Sequence, residues 1–221
     1  GREAFPFPAL TYYSETPANR AALITMFPIG EAMRANLFVY RDMDDPWLKA
    51  FRTAPKETLL AMMPSLAGLA GDFAVDGFVQ IRPVDLYVST GHEQDGIVLV
   101  GDAFSTSCPA AGTGARKALN DVERLCNHYV RAWLETPGMG RQKVAQFYAD
   151  PVKRACDDFA KDKAFQLKSF SLDPSLTWNL RRWGKFFAQS GRWALREAMK
   201  NEVAPAREAR VLAGDEQPSL N

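Results

Sequence analysis

Residues 97–126 read IVLVGDAFSTSCPAAGTGARKALNDVERLC, and they hold the one spacing in this chain that suits chemistry. An apolar run at 97–100 ends in Gly101-Asp102, a loop of small residues follows, and Gly112-Thr113-Gly114 opens a helical stretch. The run has the make-up of a strand buried on both faces. Ligands of open α/β sheets bind beyond the carboxyl ends of such strands. Gly112 and Gly114 allow unusual dihedrals and close backbone approach. The first amides of the following helix have no internal acceptor, and the helix dipole favours electron-rich groups there. Asp102 adds a fixed acceptor for hydroxyl groups. The segment therefore suits a ligand with a hydroxylated chain and an electron-rich carbonyl or anion. A flavin, with its ribityl chain and N1–C2=O edge, has both.

Other chemistries find little support. His92 and His128 offer no catalytic pairing, and no Ser-His-Asp or paired-carboxylate arrangement can be assembled. Cys108, Cys126 and Cys156 show no C-x-x-C spacing, which argues against a disulfide framework and a structural zinc site, so no metal is expected. The 221 residues carry 27 Lys+Arg against 26 Asp+Glu, without the basic excess of a dedicated nucleic-acid binder. No apolar run is long enough to span a membrane. The chain opens Gly1-Arg2-Glu3 without an initiator methionine or signal peptide, which reads as a processed, trimmed or engineered end. A reducing, cytoplasmic setting is expected.

The elements that position the segment are legible in outline. Residues 9–14, 22–28 and 34–40 read as strands, joined by turns at Pro17-Ala18-Asn19 and Gly30. Short connections make them antiparallel. In the third, alternation puts Ala35, Leu37 and Val39 on a face suited to packing under helices, and Asn36, Phe38 and Tyr40 on the other. Helices are expected at 46–51 and 56–69, the latter with Leu59, Met62, Met63 and Leu66 at core spacing. Residues 73–83 return to strand character. The helix at 115–134 carries Ala118, Val122, Leu125 and Tyr129 on one stripe. Asp150-Pro151 and Asp173-Pro174 read as N-caps followed by proline at the first helical position. The tail from Ala204 is expected to fray.

The joined pattern resembles the second FAD-binding motif of the group A flavoprotein monooxygenases, the p-hydroxybenzoate hydroxylase-like family. That motif runs roughly Gly-Asp-Ala-Ala-His-x-x-Pro-Pro-x-x-Gly-x-Gly-x-Asn, with a later Asp. Gly101, Asp102, Ala103, Pro109, Gly112, Gly114 and Asp121 fall on its positions without insertion. Phe104, Ser105, Cys108 and Arg116 depart from it, standing where the family has Ala, His, the first Pro and Asn. The stretches LTYYS and MRANLFVYRD, Arg82-Pro83 and the downstream helices are also similar, so the resemblance covers about residues 9–200.

The resemblance implies that Asp102 binds the ribityl hydroxyls and that Pro109 lies beside the isoalloxazine. The backbone from Gly112 through Thr113 and Gly114 to Ala115 would face the N1–C2=O edge. Arg116 would stabilise anionic reduced flavin if it points inward and would be a solvated helix residue if it points outward; helical geometry alone leaves both open. Cys108 is either a small filler or a redox group. The resemblance further implies an α+β fold: an antiparallel substrate-domain sheet at 1–96, the second FAD-binding motif at 97–135, and a helical region at 136–221. The expected activity is hydroxylation of an aromatic or similar electron-rich small molecule with FAD, O2 and NAD(P)H. The substrate pocket would lie between sheet and glycine-rich loop, walled by Asn36, Phe38 and Tyr40. A flavin-dependent halogenase or reductase, or a non-catalytic binding module, is the alternative.

A complete enzyme of this family also carries Gly-x-Gly-x-x-Gly for the pyrophosphate. Here Lys117 stands where the third glycine belongs. The dinucleotide half, about 150 residues, is expected upstream, and the chain alone should be a weak FAD binder and inactive. Charge is uneven: residues 1–140 hold 12 basic and 16 acidic residues, residues 141–221 hold 15 and 10. Part of the surplus sits in residues 180–200, from Leu180 to Lys200, with Arg181, Lys185, Arg192 and Arg196 on one helical face. Leu180, Trp183 and Phe187 occupy another, widened by Phe186 and Trp193. Such a helix either docks through its aromatics on the protein or lies on an anionic membrane.

Overall fold

The computed structural model of the chain describes residues 3, 5–185, 187–188 and 191, which divide between two compact units, Gly1–Asp173 and Pro174–Asn221. The architecture is α+β. The expected boundaries near 96 and 135 both fall inside the first unit.

Three strands, β1 (Leu10–Tyr13), β2 (Ala21–Ile29) and β3 (Ala32–Val39), form an antiparallel sheet in sequence order. The Pro17–Asn19 turn and Gly30, at φ +54°, supply the reversals. Register pairs Tyr12 with Ile24 and Ile24 with Leu37 on one face, and Tyr13 with Leu23 and Leu23 with Phe38 on the other. The first face packs on the helices α1 (Pro46–Thr53), α2 (Pro55–Met62) and α3 (Leu66–Ala70). Ile24, Met26, Leu59, Met63 and Leu66 are buried there, with Leu37 and Val39 against them. Ala35, expected on this packed face, lies exposed nearer the hairpin end.

The single helix expected at 56–69 is two. Pro64 has no amide to donate and disfavours helical dihedrals at Met63, whose φ of −130° and ψ of 71° end α2. The strands expected at 73–83 and 97–100 are absent. Residues 73–83 have no ladder partner among the described residues, and Val75 and Phe78 are exposed. Residues 97–100 make one isolated bridge, Gln94 to Ile97, and the Leu99 amide donates instead to the Tyr148 phenol at 2.7 Å. Ile97 is 56% exposed, so the run is not buried on both faces. β-branched composition favours a strand only where a neighbouring strand completes its hydrogen bonds.

Helices make up the rest of the first unit. α4 (Gly114–Arg124) continues through a π-helical turn, Leu125–Val130, into α5 (Arg131–Leu134). The wider turn shifts the helical phase. The expected stripe therefore splits: Leu125 and Tyr129 pack on a second core of Trp133, Val144, Phe147 and Tyr148, whereas Val122 is 47% exposed. α6 (Arg141–Tyr148) and α7 (Pro151–Leu172) follow. Asp150 caps α7 as its sequence indicates, accepting from the Lys153 amide at 2.8 Å. Asp173 is not an N-cap; it closes α7, and helix resumes only at residue 176. Phe186, Arg192, Trp193, Arg196 and the tail from 204 lie outside the described residues. No helix among the described residues is long and apolar enough to cross a membrane.

Candidate functional site

The glycine-rich loop is built on buried charge. Gly101 has a φ of +57°, and a Cβ added there would stand 3.2 Å from the Ala118 Cβ, so only glycine brings the loop this close to α4. Its amide donates to Asp121 Oδ2 at 2.8 Å, and its carbonyl accepts from Lys117 Nζ at 2.8 Å. Lys117 Nζ also donates to the Ser105 carbonyl. Asp121 Oδ1 meets Lys153 Nζ at 3.2 Å, and Lys153 reaches Asp157 Oδ2 at 2.9 Å. Lys117, Asp121 and Lys153 are all within 1% of complete burial. The Lys153 ammonium lies 4.1 Å from the Phe104 ring centroid, a cation–π contact out of water. Burial lowers the Lys117 pKa from its ordinary value, with Asp157 and Asp121 opposing the shift.

A second ionic centre fixes the start of α7. Asp150, 1% exposed, accepts from Arg124 Nη2 at 2.7 Å and from the Tyr129 phenol at 2.7 Å. Burial alone would raise its carboxyl, but Arg124, the Lys153 amide and Tyr129 outweigh that and hold its pKa down at about 2.

Above this foundation the predicted ligand groups face outward. Asp102 is exposed, with Oδ1 accepting from the Ser107 amide at 3.2 Å. The outer side of the loop is pinned by Tyr87, whose phenol donates to the Asp102 carbonyl, and by the Ser89 amide, which donates to the Phe104 carbonyl. Pro109 and Gly112 are exposed, and nothing lies within 4 Å of a Cβ added at Gly112, whose φ is +67°. Ser107 connects the two ends of the loop, because its Cβ would stand 3.8 Å from a Cβ added at Gly114. Among the described residues the amides of Gly114, Ala115 and Arg116 have no acceptor. The hydroxyls of Ser107 and Thr113 are buried without a partner among the described residues.

Asp102 and Gly114 both approach Ser107, so one loop carries an exposed acceptor, an open glycine and a row of amides without acceptors. Arg116 is settled in the outward direction. Its side chain is exposed and its guanidinium lies 4.9 Å from the Phe159 ring centroid on α7. Only its backbone amide belongs to the donor row.

Asn36 and Phe38 are half-buried on the sheet face turned away from the helical core. Asn36 accepts from Arg34 Nε at 3.3 Å, at the more open end. Tyr40 lies just past β3, its amide bonded to the Arg20 carbonyl at 2.7 Å. Its phenol oxygen is buried without a hydrogen-bond partner among the described residues. Burial raises the Tyr40 pKa, nearby Cys108 pushes it further, and Ser171 opposes. Tyr40 therefore lies within electrostatic reach of Cys108 in the glycine-rich loop.

Lys117, Lys153, Asp157 and Asp150 are absent from the sequence-level reading of the site. A signal for them existed. Lys117, Asp121 and Arg124 recur at one-turn spacing, as do Asp150, Lys153 and Asp157, so two helices carry complementary charged stripes. α4 is consequently inverted, with Lys117 and Asp121 inside and Leu119 71% exposed. Comparison with protein-family models, curated proteins and solved structures gives no match to this chain.

Proposed function

We propose that this chain forms the ribityl-binding and N1–C2=O-binding side of the FAD site of a flavin monooxygenase. Its substrate would be an aromatic or similar electron-rich small molecule, with O2 and NAD(P)H as co-substrates. The observation that supports this most is the adjacency of exposed Asp102, open Gly112 and the acceptor-free amides of Gly114, Ala115 and Arg116. Asp102 would accept from ribityl hydroxyls, and the amides would donate to the electron-rich ring edge. Pro109 would lie beside the ring system. FAD, when bound, would supply the oxygen-transfer chemistry, while the protein orients the reactants and excludes water. Phe38 and Tyr40 would shape the substrate side.

The experiment is a titration of the chain with FAD, followed by flavin fluorescence and visible absorbance. Saturable though weak binding is expected, because no Gly-x-Gly-x-x-Gly segment is present to hold the pyrophosphate. Absence of any saturable change overturns the reading in favour of a non-catalytic module. In a protein that also carries the dinucleotide-binding half, NAD(P)H oxidation stimulated by an aromatic substrate separates a monooxygenase from a halogenase or reductase with the same cofactor.

A further inference from the structure

Residues 174–196 contain Arg181, Arg182, Lys185, Arg192 and Arg196 and not one Asp or Glu, in a chain whose 27 basic and 26 acidic residues nearly balance only when this segment is included. They also hold Trp178, Trp183 and Trp193, three of its five tryptophans. Residues 176–185 are helical, as are 187, 188 and 191. On a helix of 3.6 residues per turn, Leu176, Leu180, Trp183 and Phe187 fall within an arc of about 60°. Arg181 and Lys185 fall roughly opposite that arc. Among the described residues of this unit Leu176 is 80%, Leu180 72%, Trp183 60% and Phe187 65% exposed. Trp183 and Phe187 stack on one another with ring centroids 5.9 Å apart, which makes the stripe a continuous apolar ridge.

We propose that this segment lies on an anionic lipid surface, with the Leu176–Leu180–Trp183–Phe187 ridge entering the acyl boundary and the basic side chains held at the headgroups. Charge complementarity selects the partner. An apolar ridge alone suits any hydrophobic cover, but a segment whose charged residues are all basic matches a negatively charged bilayer surface. Tryptophan is favoured at the boundary itself, where its ring is half in water and half in hydrocarbon. Arg181 lies with its guanidinium 4.6 Å from the Trp178 ring centroid, so one cation is already stacked on an aromatic of the same segment. The inference rests on this segment alone and is independent of flavin binding.

The test is flotation of the whole chain with vesicles of phosphatidylglycerol and phosphatidylcholine, against vesicles of phosphatidylcholine alone. Binding to the anionic vesicles is expected, with a blue shift of tryptophan fluorescence and a loss of at least tenfold in partitioning between low and high salt. Leu180→Glu with Phe187→Glu, and separately Arg181→Glu with Lys185→Glu, should each reduce partitioning at least tenfold while far-ultraviolet circular dichroism stays unchanged. Equal binding to both vesicle types, or no binding to either, overturns the proposal. Concentration-dependent dimerisation abolished by the Leu180 and Phe187 substitutions, without lipid binding, would show instead that a second copy covers the ridge.

Discussion

Lys117 Nζ donates to the carbonyl oxygen of Gly101 at 2.8 Å, so the helix that follows the glycine-rich loop grips the residue that begins it. The loop is thereby closed from inside, and its outer surface is left for Asp102 and Gly112. Lys117→Met removes the shared donor and leaves the Ser105 carbonyl short of a partner. A loss of about 1–3 kcal/mol in urea unfolding is expected, the cost of an unsatisfied buried acceptor. Because burial lowers the Lys117 pKa, the charged form is penalised in the folded state at pH values below that depressed pKa. The penalty is relieved as pH rises from it toward the ordinary 10.5. The native protein should therefore gain stability relative to Lys117→Met across that interval, and a flat difference would contradict the assignment.

Asp150 ties Arg124, Tyr129 and the first turn of α7 to one carboxylate. Asp150→Ala should cost about 3–5 kcal/mol, since it leaves partly buried Arg124 without its counter-charge. The folded pKa of about 2 lies below the ordinary 3.8, so the carboxylate stabilises the fold above the ordinary value. That contribution is lost as pH falls toward 2. Urea midpoints measured between pH 5 and 2, against Asp150→Asn, should show the native protein losing its advantage in this window. Parallel curves would remove Asp150 from the account of acid stability.

Gly101 and Gly112 make a matched pair. Both have positive φ, but a Cβ at Gly101 meets Ala118 at 3.2 Å and a Cβ at Gly112 meets nothing. Gly101→Ala should lower thermal stability by more than the roughly 1–2 kcal/mol strain of a left-handed alanine. Gly112→Ala should cost no more than that strain, yet weaken FAD at least tenfold if the open space is where the ring approaches. Equal effects of both substitutions on stability and on FAD would show that Gly112 has no ligand role.

Asp102→Ala should leave the unfolding midpoint nearly unchanged, because the side chain is exposed and makes one hydrogen bond to the Ser107 amide. FAD affinity should fall by about 1–3 kcal/mol, the value of hydrogen bonds to a charged acceptor. The fluorescence titration that measures FAD binding checks it directly. An unchanged dissociation constant would mean that the motif register does not apply.

In a protein that also carries the dinucleotide-binding half, Phe38→Leu and Tyr40→Phe should alter which aromatic stimulates NAD(P)H oxidation while flavin content stays constant. Tyr40→Phe should also be nearly neutral for stability, since the phenol oxygen it removes has no hydrogen-bond partner among the described residues. Loss of flavin with either substitution would place the residue in cofactor retention instead.

What the sequence by itself determined is whatever depends on neighbours along the chain. Alternation and turn residues set three antiparallel strands and sent Leu37 and Val39 to the core and Phe38 and Tyr40 to the other face. Gly112 took the left-handed dihedral its type suggested, and Asp150 capped the helix that Pro151 begins. What only the tertiary structure decided depends on partners distant in sequence. Residues 97–100 look like a strand, but no neighbouring strand pairs with them, and Leu99 bonds to Tyr148, 49 positions away. Lys117 and Asp121 look like surface residues of α4. They are buried because Lys153 and Asp157 of α7 neutralise them, and a buried charge is tolerated only where such a partner arrives. Arg116 could face either way on an isolated helix, and the Phe159 ring on α7 fixed it outward.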